Sequence, residues 1–328
     1  MNALALLKRE DCVRIEHSAP ARSKVLFVDW DVGNICNFRC SYCPDVLHNG
    51  SRPWLDAAAA SRFIKILSEH VRRQAKTFHV QFTGGEPTLY PALSSLLEEI
   101  GGEGGSAGLI SNGSRPVKWW ELVVDHLRSV VLSHHIEFVS LNRFLEVAAF
   151  LSGRIRTHVN VTMLPSRFDE CVERAKLIRE HCPHISMTLK PLRLDFGQAL
   201  YGYTDQQMRV MESREIVQGP PGEALESVRG AMRVVCRDGA ATTVKAADLL
   251  LAGANRWRGW HCFAGLELLV VHIDGSIYRG RCRQGGVIGN LRNQRIVLPT
   301  QPIRCGATSC NCLSDIMTRR CRPTVENG

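Results

Sequence analysis

The 328 residues contain no run of eighteen or more apolar side chains, which excludes a membrane-spanning helix by length. Nor does the N-terminus have the order of a secretory signal. Met1 to Leu7 is a short apolar stretch, and Lys8, Arg9, Glu10 and Asp11 follow it, where a signal carries its positive charge ahead. A soluble, cytoplasmic protein is expected. Internal repeats and low-complexity tracts are missing, which excludes a fibrous chain, and 45% hydrophobic against 22% charged residues is too apolar for disorder. Acidic residues are in deficit. The 32 Asp and Glu against 41 Lys and Arg leave a formal charge of +9, which suits an anionic partner such as a nucleotide, a nucleic acid or an acidic leader peptide without choosing among them. Cysteine is what the chain has in excess. Its 13 thiols exceed the needs of packing, and in a reducing compartment clustered thiols hold metal more often than they form disulfides.

Apolar periodicity predicts alternating strands and helices. Val25 to Val28 reads as a strand that leads into a Cys-rich loop; Phe63, Ile64, Leu67 and Val71 sit at helical spacing within 55–75; and 78–83 alternates as a strand before Gly84-Gly85. Helices are then expected at 91–100, 118–127, 143–151 and 170–181, with strands at 108–111, 130–133, 158–164 and 186–191. Six strands with covering helices imply an α/β fold, a parallel sheet curled into a full or partial barrel and best described as a partial (β/α)6 TIM-like barrel. Its chemistry belongs on the loops at the strand C-terminal ends. From Tyr201 the rhythm changes. Gly219-Pro220-Pro221-Gly222 reads as a turn, Arg237-Asp238-Gly239 as a hairpin tip, and 262–282 as a hairpin around Asp274-Gly275 with a cysteine at each outer end. The expected boundaries are an N-terminal extension over 1–22, a barrel over 23–200, a bridging region over 201–255 and a small Cys-rich hairpin module over 256–328.

Cys36, Cys40 and Cys43 are spaced C-x3-C-x2-C on the loop after the first strand. This lets three thiolates converge on three corners of a cubane iron–sulfur cluster, leaving the fourth iron open to a substrate or cofactor. With His48 nearby, the same thiols also suit a structural Cys3His zinc site, and spacing alone leaves both readings open. Gly84-Gly85-Glu86-Pro87 at the end of the second strand decides between them, because paired glycines permit close backbone approach and a carboxylate takes an ammonium group.

Together these motifs resemble the radical S-adenosylmethionine (radical SAM) superfamily, over roughly Val25 to Leu192. The resemblance implies that Cys36, Cys40 and Cys43 hold a 4Fe–4S cluster whose open iron chelates S-adenosylmethionine, and that Gly84, Gly85 and Glu86 bind the methionine amino group. It further implies that Asn112, within Ser111-Asn112-Gly113, and Ser133 lie near the cofactor, and that Tyr42 sits beside the adenine. The activity implied is reductive cleavage of the cofactor, with a flavodoxin or ferredoxin as reductant, to a 5′-deoxyadenosyl radical that abstracts hydrogen from a substrate carbon. The protein must then hold that carbon close and keep solvent away.

Cys262 and Cys282 resemble the cysteines of the auxiliary-cluster modules called twitch and SPASM. This implies one auxiliary 4Fe–4S cluster with two further ligands from Cys305, Cys310 and Cys312, whose C-x4-C-x-C spacing departs from the seven-cysteine SPASM pattern and favours the single-cluster twitch form. Four thiolates suit a zinc ribbon as well. Cys321 is either a spare ligand or a surface thiol. Cys12, Cys171 and Cys182 lack metal spacing and read as small buried hydrophobes; Cys236, near a hairpin turn, is the candidate for returning a hydrogen atom to a product radical. His134-His135 either faces the barrel mouth as an acid, base or substrate contact or ends its strand in solvent.

Two classes of function compete: a radical enzyme, and a non-catalytic zinc or iron–sulfur nucleic-acid-binding protein. Gly-Gly-Glu-Pro after a strand, which a binding module does not need, favours the enzyme. Relatives with auxiliary modules act on ribosomal peptides, sugars and nucleotide-derived molecules. These residues show no leader-peptide-recognition domain, and Arg256, Arg258, Arg279, Arg281 and Arg283 around the hairpin suit a phosphate-bearing substrate such as a nucleotide or a base in DNA. A solvated basic surface is the plain alternative for these arginines, and a ribosomal-peptide maturase is the alternative enzyme.

Overall fold

A computed structural model of the chain describes residues 12–194, 199–213, 215–217, 231–293 and 295–323; the turn expected at Gly219-Pro220-Pro221-Gly222 lies outside the described residues. In chain order the elements are β1 (Cys12–His17), β2 (Val25–Asp31), α1 (Ala57–Arg72), β3 (Thr77–Thr83), α2 (Leu93–Gly102), β4 (Ser106–Ser111), α3 (Val117–Glu121), β5 (Leu127–His134), α4 (Leu141–Ser152), β6 (Arg156–Met163), α5 (Phe168–His181), β7 (Ser186–Pro191) and α6 (Asp205–Ser213). They continue with β8 (Met232–Cys236), β9 (Ala241–Val244), α7 (Ala246–Leu251), β10 (His261–Cys262), β11 (Leu268–Val271), β12 (Ser276–Tyr278), β13 (Val287–Asn290), β14 (Ile303–Arg304), α8 (Leu313–Ile316) and β15 (Arg320–Cys321). The chain divides into two compact units. One gathers Met1–Asp29, Ala58–His79 and Glu226–Gly328, the other Trp30–Ala57 and Val80–Leu225.

The second unit carries the expected α/β repeat. Its strands, counting the last residues of β2 and β3, lie in the order β2-β3-β4-β5-β6-β7, and β4 to β7 pair in parallel, as helical crossovers require. The order ends at β7 without returning to β2, so the described strands form no closed barrel. Helices α4 and α5 present Phe144, Leu145, Ala148 and Leu151, and Phe168, Cys171, Ala175 and Ile178, as buried stripes at helical spacing. Beneath such cover Val130, Leu132, Val159, Val161 and Leu189 are 0–5% exposed. The helix expected over 118–127 is broken instead: α3 stops at Glu121, a tight turn spans Val124–His126, and β5 starts at Leu127. Leu127 fits the helical period, but pairing with Ala107 of β4 takes it into the sheet.

In the first unit, six strands are ordered β14-β10-β15-β1-β8-β9, antiparallel in each pairing whose register is defined, while β11, β12 and β13 lie outside that sheet, next to β2 in the order β13-β12-β11-β2, and pair antiparallel with one another. Arg237-Asp238-Gly239 does form the tip between β8 and β9, with Gly239 at φ +85°. Strand β1 falls inside the stretch expected to be an extension. A register shift between Cys12 and Arg14 breaks the period of two, burying Cys12, Ile15 and His17, and this hides the strand from a search for alternation.

A buried ion cluster holds this unit. Glu267, 2% exposed, accepts from His17 Nε2 at 3.1 Å, from the Arg319 backbone N–H at 3.0 Å and from the Arg319 guanidinium. Burial pushes the Glu267 pKa up, but His17 and Arg319 outweigh it and hold the carboxyl below its ordinary value. A depressed folded pKa means that ionised Glu267 stabilises the protein above its unfolded pKa, and that this contribution is lost as pH falls through the folded one. Denaturant melts should therefore show the unfolding free energy dropping below about pH 4.3. Glu267→Gln should flatten that slope and cost about 3 kcal/mol at neutral pH; an unchanged acid slope in the variant would assign it to other carboxylates.

Candidate active site

Beyond Asp31 the chain leaves β2 as the loop that carries Cys36, Cys40 and Cys43. Asn34, 1% exposed, shapes this loop: its Nδ2 donates to Val46 O at 2.9 Å, Asn49 Oδ1 at 2.9 Å and Ser51 Oγ at 3.1 Å, and its Oδ1 accepts from Arg52 N at 3.0 Å. One buried amide thus ties the segment after the cysteines to the segment before them. From the loop after β5, the Glu137 carboxylate accepts from Ser41 N at 2.8 Å and Ser41 Oγ at 2.7 Å. Phe138 stacks on Phe38 with centroids 5.4 Å apart. Tyr42, 6% exposed, hydrogen-bonds His135 Nδ1 at 2.7 Å through its hydroxyl. Neither Asn34 nor Glu137 was marked by any spacing in the sequence, because their partners arrive through the fold.

Gly84 and Gly85 have φ of +89° and +51°. A Cβ on Gly84 would lie 2.9 Å from Gly33 O, and one on Gly85 only 2.3 Å from Ile35 O. Both conformation and space therefore demand glycine, and the turn rests on the backbone just ahead of Cys36, with Glu86 N donating to Ile35 O at 2.9 Å. The Glu86 side chain is 1% exposed. Its Oε1 accepts from Thr88 N at 3.1 Å and Ser111 Oγ at 2.8 Å, and its Oε2 from Asn112 N at 2.7 Å. Burial raises its pKa and these donors oppose the rise. The carboxylate thus already serves donors of its own chain, joining the turn after β3 to the turn after β4. From there Asn112 Nδ2 reaches Asn37 Oδ1 at 2.9 Å and Cys36 Sγ at 3.9 Å.

Two motifs far apart in sequence therefore meet at one place. Burial pushes the Cys40 thiol up to about 12, with Glu137, Cys36 and Cys43 adding to the rise, and burial beside Cys36 pushes Cys43 up to about 11. Cys36 is raised as well, mainly by burial. Thiols raised in this way give up their protons when a strongly bound cation replaces them, which suits an iron–sulfur cluster or another metal. His48, needed for a Cys3His zinc site, turns its Nε2 toward Asp45 Oδ1 at 3.9 Å. Among the described residues, no group of three or more His, Cys, Asp or Glu side chains is arranged to hold a metal ion.

Ser133 lies beside Asn160 in the sheet register. Its neighbours His134 and His135 take opposite roles. His134, 0% exposed, packs edge-on to Phe144 and burial lowers its pKa to about 3; it neither ends the strand in solvent nor serves as an exposed base. His135 bonds Tyr42, and burial lowers its pKa to about 4.

The first unit carries a second set of cysteines, Cys262, Cys282, Cys305, Cys310 and Cys312. Asp315, 4% exposed, accepts from Arg281 N at 2.8 Å and Cys282 N at 2.7 Å. Arg320, 2% exposed, spans the Ile316 and Thr318 carbonyls at 2.9 and 2.7 Å and brings Nη2 within 3.4 Å of Cys310 Sγ. Burial pushes Cys282 up to about 12, with Asp315 and Cys262 adding to the rise. Cys310 is also raised by burial, Arg320 opposing and Asp315, Cys262 and Cys282 reinforcing it, and Cys262 in turn feels Cys305. Cys262, Cys282, Cys305 and Cys310 are therefore electrostatic neighbours. Cys312 caps α8, and its leading charged neighbour is Asp315.

Cys236, 2% exposed, stands in the apolar core with Ile15, Val234 and Trp257 and faces Cys12 across the β1–β8 ladder, a setting that serves packing. Of the hairpin arginines, Arg279 donates to Ala264 O at 3.2 Å and Gln301 O at 3.0 Å, Arg283 lies over Tyr278 at 5.1 Å, and Arg256 and Arg258 are exposed.

Compared with known proteins, residues 30–189 match the Radical SAM superfamily. Neomycin C epimerase of Streptomyces fradiae is 26% identical over 147 residues, 42% of this chain and 47% of that one. The S-adenosylmethionine-dependent nucleotide dehydratase of Thermoplasmatales archaeon (strain ISO4-H5) is 34% identical over 98 residues, 27% of this chain and 32% of that one. The chain thus spans about half the length of the first relative and about a third of the second. Among solved structures, native anSMEcpe with bound AdoMet superposes with a TM-score of 0.49 at 16% identity, covering 83% of this chain and 79% of that one. Streptococcus suis SuiB bound to S-adenosylmethionine gives 0.46 at 14% identity, over 80% and 62%. The segment that matches the Radical SAM superfamily, residues 30–189, is the one that carries the three loop cysteines, the glycine turn and Asn112.

Proposed function

We propose that the protein is a radical SAM enzyme that cleaves S-adenosylmethionine reductively and uses the 5′-deoxyadenosyl radical to take hydrogen from a substrate carbon. The supporting observation is the meeting of Cys36, Cys40 and Cys43 with the Gly84-Gly85-Glu86 turn and Asn112. A 4Fe–4S cluster bound there supplies the electron that breaks the cofactor's carbon–sulfur bond. Cys36, Cys40 and Cys43 hold that cluster. Gly84 and Gly85, without side chains, let their backbone reach the methionine amino group, and Glu86 positions Asn112 beside Cys36. Tyr42, fixed by His135, walls the adenine end, and Ser133 lies near the cofactor.

Cys262, Cys282, Cys305 and Cys310 hold one auxiliary 4Fe–4S cluster in this reading, with Asp315 fixing the Cys282 backbone and Arg320 offsetting thiolate charge at Cys310. The substrate is a nucleotide or a related sugar-bearing molecule. The +9 charge and the names of the two curated relatives, an epimerase of neomycin C and a nucleotide dehydratase, support that class. Anaerobically reconstituted protein given S-adenosylmethionine and dithionite or reduced flavodoxin should yield 5′-deoxyadenosine by mass spectrometry, and nucleotides added singly should reveal the substrate by a change of mass. Absence of 5′-deoxyadenosine under all these conditions would refute the proposal.

A further inference from the structure

Parallel strands are normally buried on both faces under apolar side chains, but β5, β6 and β7 are so on one face only. On the other face the register sets Val131, His158 and Ser186 side by side, then Ser133, Asn160 and Thr188, then Thr162 and Lys190. His158 links these rows: its Nδ1 lies 2.8 Å from Ser186 Oγ, and its Nε2 lies 3.2 Å from both Asn160 Oδ1 and Thr188 Oγ1. The result is an ordered polar surface that keeps access to solvent, made from residues that a purely structural sheet would have as Val or Leu.

Lys190 stands toward the C-terminal end of β7, the end at which open α/β sheets bind ligands. Its charge is felt by His135 and His158, and it has no carboxylate partner among the described residues. His135 is also the residue that fixes Tyr42 of the cysteine loop, so the ammonium lies on the cluster side of the polar surface. Lys190 is exposed on this face, so its ammonium is open to an anion that arrives from solvent.

We propose that Lys190 is the anion-binding residue of the substrate site, taking a phosphate or carboxylate of the substrate while His158, Asn160 and Thr188 take its neutral polar groups. What is then done to the substrate rests on the radical SAM reading; the binding does not.

Calorimetry on the anaerobically reconstituted full chain, with inorganic phosphate and acetate as probes, tests this directly. Wild type should bind at least one of them, and Lys190→Met should weaken that binding by about tenfold or more. Lys190→Arg, which keeps the charge, and Lys65→Met on the exposed face of α1 should bind as wild type does. Tighter phosphate binding marks a phosphate ester as substrate; tighter acetate binding marks a carboxylate. S-adenosylmethionine and the probe should bind together. Competition between them would assign Lys190 to the cofactor and overturn the proposal, as would equal binding by wild type and Lys190→Met, or no binding by wild type. Should phosphate binding depend on Lys190 while wild type makes no 5′-deoxyadenosine, the radical SAM reading fails and the anion site stands.

Discussion

Replacing Cys36, Cys40 and Cys43 together by Ala should abolish 5′-deoxyadenosine formation and leave about four of about eight iron atoms after anaerobic reconstitution. The thiols share one electrostatic site, as the raised pKa of Cys40 beside Cys36 and Cys43 indicates, so they act as a unit and the triple variant should be no worse than the worst single one. If the proposed auxiliary cluster is held by Cys262, Cys282, Cys305 and Cys310, the remaining iron should be lost when those four are replaced instead. Folding should survive the first set of changes, because Asn34, Glu137 and the Phe38–Phe138 stack hold the loop without metal. A triple variant that retains all its iron would show that the loop holds no cluster.

Glu86→Ala should be the most disruptive single substitution. It strips acceptors from Thr88 N, Ser111 Oγ and Asn112 N in a side-chain site 1% exposed, and donors left unsatisfied there cost about 1–3 kcal/mol each. Glu86→Gln separates two effects. The amide oxygen can still serve Thr88 and Ser111, and a neutral side chain escapes the burial that raises the Glu86 pKa, so melting should stay near wild type. Its NH2 must face the Asn112 N–H, however, and Asn112 should shift away from Cys36. A displacement of this kind next to a reacting group lowers rate by up to about a hundredfold, with weaker cofactor binding and iron content unchanged. If Glu86→Gln binds S-adenosylmethionine with wild-type affinity, the motif is only a turn.

Which parts of this site could be read from sequence follows from how local each requirement is. The cysteine spacing and the glycine pair answer to constraints within a few residues, and Gly84 and Gly85 stand where a Cβ would strike Gly33 and Ile35. Asn34, Glu137, Asp315 and Lys190 gain their roles from partners that only the fold supplies, and an isolated Asn or Asp carries no signal of that. Strand β1 was hidden by its register shift, and the start of β5 by a leucine that fits either period. The pair His134-His135 was ambiguous because alternation decides only that the two face opposite ways; Phe144 on one side and Tyr42 on the other decide which.

The most direct measurement of the central claim is electron–nuclear double resonance on the one-electron-reduced protein with S-adenosylmethionine labelled isotopically at its amino and carboxylate groups. Coupling of both labels to the cluster spin is expected in wild type, and its disappearance when Cys36, Cys40 and Cys43 are replaced, because only a cluster with an open iron binds the cofactor directly. Stoichiometric zinc without iron, or a reduced cluster whose spectrum the labelled cofactor leaves unchanged, would contradict it.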